Sequence, residues 1–156
     1  MAKYAYDNKS VEYYYIVTKE EFIKAWNGLS GEIATIHLFL HGKPGFLLFS
    51  NKQKLSISEL YNLNKISITN KAYLYSCNGG TSVKGGSSVA RAISALLHGK
   101  KVRAVVNGSV YYRDFYQLFS RKPLTKQKKA YWADFSWTKS GKGSPRVTKI
   151  GRNWKL

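Results

Sequence analysis

The sequence is poor in cysteine (one), methionine (one), proline (three) and acids (eight) among its 156 residues. A single cysteine excludes an internal disulfide framework and any zinc site built from thiolates. The longest mostly apolar run, Ile33 to Leu40, falls far short of the roughly 20 residues that span a bilayer, so no membrane span is expected. The opening Met1-Ala2-Lys3-Tyr4-Ala5-Tyr6-Asp7 lacks the apolar stretch of a signal peptide, and an exported form would carry its signal elsewhere. Scarce acids leave 26 Lys and Arg against 8 Asp and Glu, a formal net charge of +18. Most of that excess lies in the second half, where Asp114 and Asp134 are the only acids after residue 70. A field of that sign and size favours an anionic partner, whether nucleic acid, acidic protein or acidic surface.

With 44% hydrophobic residues, the length fits a single domain spanning 1–156 that can bury a core without staples. Strand-like and helix-like patterns alternate through the first two thirds. Val11–Val17 is β-branched and aromatic, which predicts a strand. Thr18 with Glu21 forms a capping box ahead of Phe22, Ile23, Trp26 and Leu29 at helical spacing, and Ser56 with Glu59 opens a second, shorter helix. Ile33–Leu40 is apolar on both faces and predicts a central strand. Phe46–Phe49 suits a hairpin arm. Ala72–Cys77 predicts another strand, Ser87 or Ser88 caps a helix through Leu97, and Val102–Val106 predicts a strand before an Asn107-Gly108 hairpin turn. This order predicts an α/β fold with a mainly parallel sheet over about 10–113. Residues 114–156 form a basic, aromatic extension, read as short strands or loops packed over one edge of that sheet.

Loops at the carboxyl ends of parallel strands form the functional edge of an open sheet. His41 and Cys77 both fall there, each followed by glycine. If their strands are neighbours, the ends lie about 5 Å apart. An imidazole beside a thiol favours the thiolate, the nucleophilic form, and neighbouring glycines admit a substrate backbone and free N–H groups for an oxyanion. Each residue alone has a plainer reading: a lone cysteine is usually a small buried hydrophobe, and a lone histidine before glycine usually belongs to a turn. Their joint placement outweighs both. His37, mid-strand, and His98, at the negative end of a helix, read as structural.

The segments "IHLFLHGKPG", "AYLYSCNGG" and "SSVARAISALLHGKKVRAVV" together resemble the caspase–gingipain superfamily, and most closely the CHAT-like cysteine peptidase domains at the ends of bacterial polymorphic toxins. The resemblance implies a three-layer sandwich with His41 as general base and acid and Cys77 as nucleophile. It also implies an oxyanion hole from the N–H groups of Gly42 and Cys77, with the Asn78-Gly79-Gly80 loop beside the substrate. It implies a protein substrate, no cofactor, no metal, and delivery as a bacterial effector into a target-cell cytoplasm. An acidic immunity protein is the expected inhibitor. No third catalytic residue is evident; Glu32 and Glu59 are the carboxylates considered for it. The acid-poor second half argues against a pocket for Arg or Lys side chains.

Three other readings remain open. Gly80–Ser87 sits between a strand and a helix, as a phosphate-binding loop does, but Gly86 occupies the place of the required lysine. Second, the extension interleaves cations with rings, as an RNA-binding groove does, so an RNA-targeting toxin, nuclease or binder, would use Lys126, Lys128, Lys129 and Arg146. Third, the chain would be a basic interaction module with an inert, buried Cys77.

Overall fold

The computed structural model describes residues 2–6, 9–108, 110–111, 124–125, 130–136 and 146–151. The chain opens with β1 (Ala2–Tyr6) and β2 (Lys9–Tyr13), paired antiparallel, followed by helix α1 (Lys19–Asn27). Strand β3 (Ile36–Phe39) leads into a small antiparallel sheet of β4 (His41–Lys43), β5 (Phe46–Leu48) and β6 (Lys54–Ser56). Next come α2 (Ile57–Leu60), β7 (Ala72–Tyr75), α3 (Val89–Leu96) and β8 (Val102–Val106). Short strands β9 (Val110–Tyr111) and β10 (Leu124–Thr125) pair with each other, and β11 (Tyr131–Ser136) and β12 (Arg146–Gly151) close the order.

The main sheet has the order β12-β11-β8-β7-β3. Strands β3, β7 and β8 run parallel, and β11 and β12 continue the sheet antiparallel, so the fold is mixed α/β. Strand alternation separates its faces. Ala72, Leu74, Val102, Ala104, Ala133 and Phe135 share one buried cluster with Phe22 and Trp26 of α1, Leu60 of α2 and Ile93 of α3. The opposite face carries Tyr73, Tyr75, Val105 and Trp132. Among the described residues every helix therefore packs into the cluster on one side; the second helical layer of a three-layer sandwich is not among them. No helix among them is long and apolar enough to cross a membrane.

Local chemistry explains the helices. Both capping boxes form: Thr18 and Ser56 each accept from the N–H three residues on, and Glu21 and Glu59 reach back to the cap backbone. Ser88 caps α3 by accepting from Arg91 N–H. Trp26 donates its indole N–H to Asn64 O at 2.9 Å, which ties α1 to the segment after α2.

Several expectations are corrected. Ile33–Leu40 is no central strand: only Ile36–Phe39 is strand, it lies at the sheet edge, and Phe39 is 48% exposed. A continuous apolar run looks the same whether its outer rings are covered or not. Val11–Val17 gives way to β2 over Lys9–Tyr13. Asn107 takes a positive φ of 54° as a turn residue would, yet β8 is flanked by β7 and β11, and β9 pairs with β10 instead. The extension does not merely lie over an edge. Its β11 hydrogen-bonds to β8 and places Trp132 and Phe135 in the interior. Lys126, Lys128 and Lys129 lie outside the described residues; Arg146 opens β12 opposite Ser136, with its side chain outside the description.

Asp134 and Arg103 face each other across β8 and β11, and the guanidinium donates to both carboxylate oxygens, at 2.8 and 2.9 Å. Both side chains are nearly buried. Removing one partner strands the other charge, so Asp134→Ala is expected to cost about 3 kcal/mol in urea unfolding. Arg103→Met with Asp134→Leu should recover most of it.

Glu59 accepts from Ser56 N–H at 2.9 Å and pairs with Lys19 Nζ at 3.0 Å. The Ser56 donors, and then Lys19, lower its carboxyl from the usual 4.5 to about 2. A depressed acid contributes stability above its unfolded value and loses it as pH falls through the folded one. Thermal stability should therefore fall as pH drops from 4.5 to about 2, and Glu59→Gln should flatten that stretch. Superimposable profiles for the two proteins would contradict it.

Candidate active site

Strands β3 and β7 pair in parallel with Ile36 opposite Ala72, His37 opposite Tyr73, Leu38 opposite Leu74 and Phe39 opposite Tyr75. Carried two residues further, that register sets His41 against Cys77. Beyond Leu40 the chain leaves the main sheet and His41 becomes the first residue of β4. The two segments still touch through Gly42. A Cβ there would overlap Ser76 Oγ and come within 2.8 Å of the Cys77 carbonyl oxygen. Glycine at 42 thus lets the histidine-bearing backbone lie directly on the Ser76–Cys77 backbone.

The turn after β7 is tightly held. Asn78 adopts φ 56° and donates its N–H to Gly108 O at 2.8 Å. Gly79, Gly80 and Thr81 donate to Ser76 O, Val105 O and Asn78 O, and Asn107 N–H reaches Thr81 Oγ1 at 2.7 Å. Among the described residues the Cys77 N–H takes no part in this network. Gly79 and Gly80 are buried, and a Cβ on them would press into Leu74 and into Phe135. Their smallness therefore serves packing. Of the three residues expected to flank a substrate, Asn78 alone is partly open.

Cys77 is a free, half-buried thiol and His41 is exposed. No hydrogen bond among the described residues joins the two side chains. His41 instead stands on the face of β4 opposite to the one on which Gly42 meets Ser76, and helps line an open cleft of about 540 Å³ with Lys43, Leu48, Ser50, Lys52 and Lys54. These lysines were not among the expected site residues. The signal was the spacing of His41 and Lys43 around Gly42, which puts both on one face of a strand. Ser76 was missed as well: its hydroxyl is fully buried, lies at Gly42 and has no hydrogen-bond partner among the described residues.

The other sites resolve plainly. His37 stacks on Tyr73 with ring centroids 4.7 Å apart, and its Nδ1 lies 3.1 Å from Tyr75 Oη. Partial loss of hydration holds its imidazole below the usual value, although the residue as a whole is exposed at the sheet edge. Burial likewise pushes the Tyr75 phenol well above its usual range. His98 sits within the turn after α3 with φ 52°. Glu59 is engaged by Ser56 and Lys19, and Glu32 is exposed ahead of β3, so neither is placed to orient His41. Among the described residues no three His, Cys, Asp or Glu side chains gather as a metal site would.

If Gly42 is the spacer between the two segments, Gly42→Ala is expected to cost about 1–3 kcal/mol through overpacking. Ser76→Ala, which removes the hydroxyl, should restore part of that loss in a double-mutant cycle. Strict additivity in thermal unfolding would show that the two positions do not meet.

Compared with known proteins, the chain matches no family model, no curated protein and no solved structure.

Proposed function

We propose that the chain is a Cys/His-dependent hydrolase of the cysteine-peptidase kind, acting through an acyl-enzyme. Its main support is the abutment of Gly42, the residue after His41, on Ser76-Cys77 beyond the carboxyl ends of adjacent parallel strands. A caspase-like core belongs to the same proposal, with the His-bearing strand, the Cys-bearing strand and the strand after the small-residue helix side by side as β3, β7 and β8.

In this reading substrate binding must twist the β4 backbone as well as rotate the His41 side chain, because strand alternation sets His41 on the face opposite to the one on which Gly42 meets Ser76 and Cys77. His41 takes the thiol proton as Cys77 Sγ bonds to the acyl carbon, and the carbonyl electrons move onto oxygen. The Cys77 N–H, outside the turn's own hydrogen-bond network, and the Gly42 N–H receive that oxyanion. Collapse expels the leaving amine, which His41 protonates. Water, deprotonated by His41, then releases the acid and restores the thiol. The setting proposed with it is a delivered bacterial effector restrained by an acidic immunity protein, to which a chain of net charge +18 is complementary.

Alkylation of Cys77 by iodoacetamide, followed by mass spectrometry across pH, tests this directly. The native thiol should react at pH 6 to 7, below the free-thiol midpoint of about 8.5, and His41→Ala should slow that reaction about tenfold. Cys77→Ala should keep the fold and lose turnover and toxicity. A native profile indistinguishable from that of His41→Ala, or full toxicity without the thiol, overturns the assignment.

A further inference from the structure

The outward face of the small sheet carries a separate chemistry. Register alternates rows across β4, β5 and β6: Gly42, Leu47 and Leu55 form one row, and Leu47 and Leu55 are fully buried. The flanking rows, His41-Leu48-Lys54 and Lys43-Phe46-Ser56, therefore point away from the core. His41, Lys43 and Lys54 line the open cleft beside β4, and Lys52 joins them from the turn between β5 and β6.

That turn is built to present Lys52. Phe49 N–H bonds to Gln53 O at 3.1 Å and Lys52 N–H to Phe49 O at 2.9 Å, while Lys52 itself holds φ 67°, an uncommon conformation for a side-chain-bearing residue. Among the described residues no carboxylate lines the cleft. The nearby acids are engaged elsewhere: Glu59 by Ser56 and Lys19, and Glu20 by the Gln53 amide at 3.0 Å. No ion pair among the described residues takes up Lys43, Lys52 or Lys54. Beside these cations Phe46 stays 37% exposed, with Lys54 Nζ 5.7 Å above its ring.

We propose that this face is a binding surface for single-stranded nucleic acid, with phosphates on Lys43, Lys52 and Lys54 and a base stacked on Phe46. Uncompensated lysines alone would suit any polyanion. The open ring among them favours a ligand that carries flat bases as well as charge, which an acidic peptide does not. This surface is separate from the basic extension and does not depend on the Cys77 chemistry.

The test is fluorescence anisotropy of a labelled oligouridylate with the full chain over a series of salt concentrations. Lys43→Ala/Lys52→Ala/Lys54→Ala changes exposed side chains only, so folding is kept and checked by circular dichroism. The triple variant is expected to lose at least tenfold in affinity. Its plot of log K against log salt should be shallower by about 2, because each single-strand phosphate contact contributes roughly 0.7. Phe46→Ala should weaken binding about fivefold or more with the slope unchanged. Absence of binding by the native chain, or equal affinity and slope in the triple variant, overturns the proposal. So does polyglutamate competing as well as unlabelled oligouridylate while Phe46→Ala has no effect, which would assign the face to acidic protein.

Discussion

The parallel pairing of β3 with β7 is the constraint on which the candidate site depends. A slip of one residue would send every β3 side chain to the opposite face and set His41 against a different neighbour. The register is held from both sides. Toward the helices, Ala72 and Leu74 are fully buried, with Ile36 and Leu38 packed against the same cluster. On the other face, Phe39 stacks on Tyr75 with centroids 4.4 Å apart and planes within 4°, beside the His37–Tyr73 stack. Stacked rings on one face and aliphatic packing on the other both penalise a shift, and an edge strand needs such fastening because it has a partner on one side only.

Scarcity of acids shapes the rest of the molecule. Five of the six described side-chain carboxylates are put to local use, Glu32 being the exception: Glu21 and Glu59 complete helix caps, Glu20 accepts from Gln53, Glu12 accepts from Tyr14, and Asp134 holds Arg103. Little negative charge is left over to neutralise the lysines of the small sheet. The buried Arg103–Asp134 pair shows the opposite arrangement, one cation matched to one anion with both removed from water. It lies in the same row as Tyr73, so the ring face of the sheet is polar at one point and apolar around it. Such a row fixes the alignment of β7, β8 and β11 more sharply than aliphatic packing alone, because a misaligned charge would be buried without its partner.

What was legible in the sequence was local. Capping boxes at Thr18 and Ser56, the Ser88 cap and the strands around Leu74 and Ala104 follow from residue types within a few positions of one another. What was not legible depended on distant partners. Ile33–Leu40 gives no sign that its strand borders only β7, since apolar continuity does not count neighbours. Asn107-Gly108 supplies turn geometry, but whether a turn closes a hairpin depends on what the next segment meets, and β8 had already been claimed on its other side by β11. The basic composition around Trp132 masked a strand of the central sheet, because the cations lie outside Tyr131–Ser136, whose one charge, Asp134, is buried against Arg103. At the site, His41 and Cys77 were readable from strand ends and glycines, whereas the lysine cleft needed the cross-strand rows of the small sheet.

The glycines at this edge do work different from the one their positions suggest. Gly42, Gly79 and Gly80 all lack the positive φ seen at Gly31, Gly45 and Gly99; Asn78 takes that conformation in the turn. Their common property is the missing Cβ: at Gly42 it admits Ser76 and the Cys77 carbonyl, at Gly79 it admits Leu74, and at Gly80 it admits Phe135 and Val106. Three close approaches thus clamp the thiol-bearing turn between the histidine strand on one side and the sheet on the other. A turn fixed in this way holds the Cys77 backbone in place while leaving its side chain half open, and under the proposed acyl-transfer reading that would preorganise the nucleophile. The same alternation that turns Gly42 inward turns His41 outward, so one three-residue strand serves both the thiol edge and the cationic cleft.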